Sequence, residues 1–201
     1  MIKLYGTSMS RAGRCLWALE EVGVPYEHVP IAIADTRKPE HLKINPNGHI
    51  PALDDDGVIL FESMAINLYL AEKYGKSTLW PATVEDRARA YQWSFWGMTE
   101  TEPHLIAMIR QRLFVPADQR DEKVVQGALE ALKAPFKVLD GCLKDRDYLL
   151  GKSFTIADLN LASILMLGTF VGVDLASTPA LQQWLAKCLE RPAHQKARAI
   201  R

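Results

Sequence analysis

The order of apolar patterns in the first third of the chain constrains the fold more than any other feature. Residues 2–5 (IKLY) form a short strand-like run, and over residues 10–22 apolar positions recur at Ala12, Cys15/Leu16, Leu19 and Val22, which is helical spacing. Gly23 follows, where a helix closes on a residue that tolerates positive φ. Residues 26–33 (YEHVPIAI) read as a second strand, with Pro30 marking an edge because proline cannot donate to a ladder. Strand, helix and strand within ~30 residues make a βαβ unit, which implies a parallel pair and a right-handed crossover.

The next stretch is polar and proline-containing through Asn47, with one short helix expected over 39–44. Two apolar runs, 50–53 and 58–61, flank Asp54-Asp55-Asp56-Gly57 and read as a β-hairpin with an acidic turn. Residues 63–74 repeat apolar positions at Ile66, Tyr69/Leu70 and Tyr74, again helical. The order is βαβ, then ββα. Beyond the short polar segment 76–83 (KSTLWPAT) strand signals stop, and helices are expected over 85–113, 121–143, 155–170 and 179–189. The chain therefore divides into an α/β domain, 1–77, and an all-α domain, 84–201.

Composition narrows the partners. Lys plus Arg and Asp plus Glu are both 24, so no net field draws the chain to nucleic acid or an anionic membrane. The opening MIKLYG has no apolar core of a secretory signal. The richest apolar stretch, 161–173, is interrupted by Ser163, Gly168, Thr169 and Gly172 and is too short to span a bilayer, so it reads as a buried helix. The cysteines, Cys15, Cys142 and Cys188, are odd in number and lack C-x-x-C spacing, which argues against a disulfide scaffold or a zinc site. A cytoplasmic location is expected, with no nucleic acid, membrane or metal partner.

Four segments place polar groups where chemistry could occur. In Ser8-Met9-Ser10-Arg11-Ala12-Gly13-Arg14 a strand hands over to a helix. Hydroxyls and free N–H groups there favour an anion, or Ser10 simply caps the helix. In Asn45-Pro46-Asn47-Gly48-His49-Ile50-Pro51 a proline opens a short strand. It is either an ordinary trans proline or a cis one that presents the Ile50 backbone to a ligand. Glu62-Ser63 ends a strand and starts a helix; the pair is a cap beside a surface acid, or a seat for the carboxylate and ammonium of an α-amino acid. Thr155-Ile156-Ala157-Asp158 has capping-box spacing, with Phe154 and Leu159 set for a hydrophobic staple, and reads as structural.

Taken together these features point to a family. The βαβ–ββα order with a proline opening the third strand resembles the thioredoxin-like fold. The segments NPNGHIPALDDDGVILFESMAI, GKSFTIADLNLASIL and TPALQQWLAKCLERPA resemble those of cytosolic glutathione transferases, over nearly the whole chain. The opening LYGTSMSRAGRCLWALEEVGVPYE resembles the serine-type members, including theta-, zeta- and bacterial forms. The resemblance implies that the Ser10 hydroxyl, four residues before Arg14, donates to the glutathione sulfur. It implies that the Ile50 backbone, before a cis Pro51, pairs with the cysteinyl backbone, and that Glu62 and Ser63 hold the γ-glutamyl ammonium and carboxylate. His49 and Lys38 would reach the glycyl carboxylate. Thr7 and Ser8 are further hydroxyls in the same loop. No cysteine stands there, against the omega- and beta-type chemistry, and Cys15 falls on the apolar stripe as a core thiol.

The reaction so implied is attack by the thiolate of glutathione, a co-substrate, on a small apolar electrophile. A free thiol with a pKa of about 8.5 is mostly protonated at neutral pH, and a shift of two units corresponds to about 2.7 kcal/mol. The second substrate would lie beside the first long helix of the second domain, rich in Tyr91, Trp93, Phe95, Trp96 and Met98. Gly97 and Pro103 should loosen that helix. The family's two-fold dimers imply a homodimer. Disulfide or peroxide reduction, isomerisation, dehalogenation and non-catalytic regulatory binding are the alternatives on the same fold.

Overall fold

A computed structural model describes residues 1–76 and 78–200. Ser77 and Arg201, the ends of the two expected domains, lie outside the described residues. Contacts divide the chain into two compact units, Met1–Ala82 with Glu190–Arg201, and Thr83–Leu189.

The first unit is built on a mixed sheet of β1 (Ile2–Tyr5), β2 (Tyr26–Val29), β3 (Ala52–Asp55) and β4 (Val58–Phe61). The strand order is β2-β1-β3-β4, with β1 parallel to β2 and antiparallel to β3, and β4 antiparallel to β3. Helices α1 (Ala12–Val22), α2 (Pro39–Leu42) and α3 (Ser63–Tyr74) complete the βαβ–ββα order. Alternation puts Leu4 and Leu53 opposite each other in the ladder, and both are fully buried with Leu16, Leu19, Ile66 and Leu70 of α1 and α3. Gly23 closes α1 at φ 70°, its N–H on the Leu19 carbonyl. The β3–β4 hairpin turns on Asp56 and Gly57, both with positive φ, as a two-residue turn of the right twist requires.

Two strands differ from the sequence expectation, each at a proline. β2 stops at Val29 because Pro30 offers no donor, and Ile33–Asp35 form a single 3-10 turn instead. β3 starts at Ala52, after Pro51, and not at residue 50. α1 begins two residues later than its spacing suggests, the intervening residues forming a turn.

The second unit is all helical: α4 (Val84–Trp96), α5 (Glu102–Ile109), α6 (Glu122–Leu143), α7 (Ile156–Phe170) and α8 (Pro179–Leu189). The expected single helix over 85–113 is interrupted by π-helical turns at Gly97–Thr101 and Arg110–Phe114. Pro103 has no N–H for the carbonyl one turn back, so the ladder slackens there. α7 is the central helix, with every residue from Ile156 to Leu165 buried, and Thr155 and Asp158 close the capping box that starts it. No helix among the described residues is long and apolar enough to cross a membrane.

One helix was not anticipated. α9 (Pro192–Ala199) packs on α1 and so belongs to the first unit, whereas the expected division gave all of 84–201 to the second domain. The reason is specific. Arg191 makes a bidentate pair with the nearly buried Glu21 at 2.6 and 2.7 Å, Trp17 donates to the same carboxylate at 2.9 Å, and the His194 ring lies 4.5 Å from Trp17.

Candidate functional site

Register brings the three polar segments of the first unit together. Tyr5 is opposite Ala52, and Ala52 is opposite Phe61, so these residues line up across one end of the sheet. The loop after β1, the loop before β3 and the start of α3 all leave from that end.

The first of these, 6–11, folds back on the start of α1. The Gly6 N–H bonds to the Val29 carbonyl at 3.0 Å, and His28 Nε2 donates to the Gly6 carbonyl at 2.7 Å. Ser10 Oγ donates to the Thr7 carbonyl at 2.7 Å and accepts the Ala12 N–H at 3.1 Å. Ser10 therefore braces the turn that leads into α1, whose N-cap is Arg11, and its half-buried hydroxyl keeps a proton that can rotate. Gly13 makes this possible: a Cβ there would stand 2.4 Å from the Ser8 carbonyl oxygen.

The start of α3 is tied to α1 from below. Arg14 is 4% exposed, and its Nη1 approaches Ser63 Oγ at 3.4 Å, while Cys15 Sγ approaches the Ser63 carbonyl at 3.6 Å. Burial pushes the Cys15 thiol far above its ordinary pKa, so it is a packing group and no nucleophile. Ser63 is buried, whereas Glu62 is exposed and holds φ at 71°, an uncommon conformation for a residue with a side chain. Such outliers cluster at ligand sites. The first N–H groups of α3, a 12-residue helix, have no partner within it and form a seat for an anion.

In the third segment the Ile50–Pro51 peptide is cis. Ile50 is half-buried beside the β1 loop; the Cβ that Gly6 lacks would lie 3.2 Å from Ile50 Cβ. The His49 side chain is exposed, and its carbonyl accepts from His41 Nε2 and Asn45 Nδ2, both at 2.8 Å. Lys38 is exposed and held by Asp35 at 2.8 Å, whose carboxylate raises the ammonium pKa. The cation against this loop is its neighbour, Arg37. Gly48, at φ 62°, leaves room for it, since a Cβ there would stand 2.8 Å from Arg37 Cδ. The sequence points to Lys38 and gives no sign of Arg37 or His41, and it marks Arg14 only by its spacing from Ser10; adjacency to Lys38 is the only local signal for Arg37.

An exposed carboxylate, a helix N-terminus, a hydroxyl that can turn its proton away from the Thr7 carbonyl, and the Ile50 backbone thus share one end of the sheet. That set suits an extended peptide-like ligand carrying an α-amino acid end. The family model for the glutathione S-transferase N-terminal domain matches residues 1–72, and that for the C-terminal domain matches residues 103–192. Glutathione S-transferase 1 of Zea mays is 37% identical over 206 residues, covering 99% of this chain and 96% of its own. Glutathione S-transferase GstB of Escherichia coli is 32% identical, covering 98% and 97%. Among solved structures, a glutathione S-transferase-I bound with lactoylglutathione superposes with a TM-score of 0.89 at 36% identity, covering 98% of both chains. A theta class glutathione S-transferase from Xanthomonas axonopodis pv. citri with glutathione bound gives 0.91 at 29% identity, covering 98% and 96%. Likeness over the full length, in both domains and in fold, leads to one conclusion: the chain belongs to the glutathione S-transferase family.

Proposed function

We propose that the protein conjugates the glutathione thiolate to an apolar electrophile, using the end of the sheet described above. The observation that carries the reading is the convergence of Ser10, Ile50 and Glu62-Ser63 from three separate segments on one sheet end. In this reading the N-terminus of α3 and Ser63 hold the γ-glutamyl carboxylate, and Glu62 accepts the ammonium. Ile50 pairs with the cysteinyl backbone. The glycyl carboxylate goes to His49 with Arg37, which has the better position than Lys38 because Lys38 already serves Asp35.

Ser10 then turns its O–H from the Thr7 carbonyl to donate to the sulfur, whose own proton leaves to water, while Oγ still accepts the Ala12 N–H. One neutral hydrogen bond is exchanged for a charge-assisted one, which favours the thiolate. Because the nucleophile comes with the substrate, the protein supplies electrostatics and position. Cys15, buried and protonated, takes no part.

Glu62→Ala or Ser63→Ala is expected to weaken glutathione binding by ~1.5–3 kcal/mol, the worth of charge-assisted hydrogen bonds. Titration calorimetry giving unchanged affinity for both would remove this placement. A homodimer completes the reading. Val58, Ile59 and Phe61 on edge strand β4, and Phe95 on α4, leave apolar surface open that a two-fold partner would cover. Light scattering should give twice the 22.6 kDa chain mass at micromolar concentration; a particle of single mass would contradict the dimer.

A further inference from the structure

We infer that His41 and Asn45 are positioning residues that aim the Ile50 amide at glutathione; the inference rests on the proposed role of Ile50. Both side chains are buried, at 4% and 2% exposure, and both end on the His49 carbonyl oxygen. A carbonyl only accepts, so His41 Nε2 must carry the proton at that contact. The Asn45 amide is oriented as well, because its Oδ1 accepts the Asn47 N–H at 3.1 Å and leaves Nδ2 to donate.

The consequence follows from peptide geometry. The His49 carbonyl and the Ile50 N–H belong to one planar unit, whose bond is trans, since Ile50–Pro51 is the cis bond of the described residues. In a trans unit the C=O and N–H point in opposite directions. Two donors drawing the carbonyl inward therefore turn the Ile50 N–H outward, and no backbone group takes that N–H among the described residues. That plane turns only about the single bonds of His49 and Ile50 on either side of it, so its direction depends on what holds the carbonyl. A single donor would leave the plane free to rock about one contact; two, from α2 and from the loop itself, fix it. His41 and Asn45 touch no ligand in this arrangement and act only through the backbone.

The test combines variants with a direct view of the amide. His41→Phe keeps the ring volume without the donor, Asn45→Asp keeps the Asn47 contact while setting an oxygen against the His49 carbonyl, and His41→Gln restores a donor at the Nε2 position. Glutathione affinity by calorimetry should fall about tenfold in His41→Phe and in Asn45→Asp, and recover to within about threefold in His41→Gln, the scale of one hydrogen bond lost or kept. In ¹⁵N spectra the Ile50 amide should move downfield on glutathione addition in the wild type and in His41→Gln, and stay unmoved in the other two. Folded His41→Phe and Asn45→Asp proteins that bind and shift like wild type would overturn the inference and leave the proposed site standing. A silent wild-type Ile50 amide, in a protein that binds glutathione and loses it on Glu62→Ala, would overturn it without need of any position 41 or 45 variant. A wild type that binds no glutathione would instead remove the reading on which it rests.

Discussion

Ser10 and Asp158 look alike in the sequence, each a polar residue at a helix start, and their surroundings separate them. Asp158 is wholly buried. Its carboxylate takes the Thr155 N–H at 2.9 Å as the box requires, but also the Leu149 N–H at 2.8 Å and Trp184 Nε1 at 3.0 Å. Burial pushes its pKa up, and these donors pull the other way. The box alone corresponds to about 0.5–2 kcal/mol; with Leu149 and Trp184 left unpaired as well, Asp158→Ala should cost about 2–4 kcal/mol in urea unfolding. Glutathione affinity of the folded variant should stay close to wild type, and normal stability with lost activity would contradict the structural role. The box was legible at 155–158 because both partners sit within one turn. The Trp184 contact was not, since nothing local links positions 26 apart. Arg14 and Ser63, 49 apart, escaped in the same way. Lys38 and Arg37 show the opposite limit: two adjacent cations differ only in which side of a turn they occupy, and composition does not carry that phase.

Among elements, α3 decides how firmly the site's helix N-terminus is held. Its far end is fastened to β3 through Asp55, a carboxylate only 2% exposed, which accepts Tyr69 Oη at 2.7 Å, Tyr74 Oη at 2.8 Å and Lys73 Nζ at 2.6 Å. Burial alone would raise the Asp55 pKa, but the donors outweigh it and hold the carboxyl below its ordinary value. A lowered folded pKa means stability that is present above the unfolded carboxylate value of about 3.9 and lost as pH falls below it. Asp55→Asn should therefore cost about 2 kcal/mol at neutral pH, and the difference from wild type should shrink as pH approaches about 3. Urea melts across that range giving a constant difference would reject this account of β3–α3 fastening. The elements themselves were readable where period and punctuation agreed, as in α3 and the Asp56–Gly57 hairpin. They were misjudged where a proline removed a donor, ending β2 at Val29 and loosening the long helix ahead of Pro103.

At the scale of the molecule, the chain builds an α/β unit, then a helical unit, and returns to the first through α9. That return was invisible in the sequence because α9 is eight residues long and half polar, and Arg191 just ahead of it is tied by an ion pair to Glu21, 170 positions away. The fold class, by contrast, follows from the order βαβ–ββα and the abrupt end of strand signals. Function is a property of this scale too, since the hydroxyl proposed to face the sulfur acts only when the rest of the tripeptide is held by other segments. The most direct test is the thiolate absorbance of bound glutathione against pH, read alongside turnover, for Ser10→Ala, Ser8→Ala and Thr7→Ala. Ser10→Ala should raise the apparent pKa of the bound thiol and lower turnover at neutral pH. The loss should be smaller than the ~10²–10³ typical of a donor facing a fully developed charge, because the helix start also contributes. Affinity should change little, Glu62, Ser63 and Ile50 being intact. A Ser10→Ala protein with the wild-type thiol pKa and turnover, whatever Ser8→Ala and Thr7→Ala do, would contradict the account.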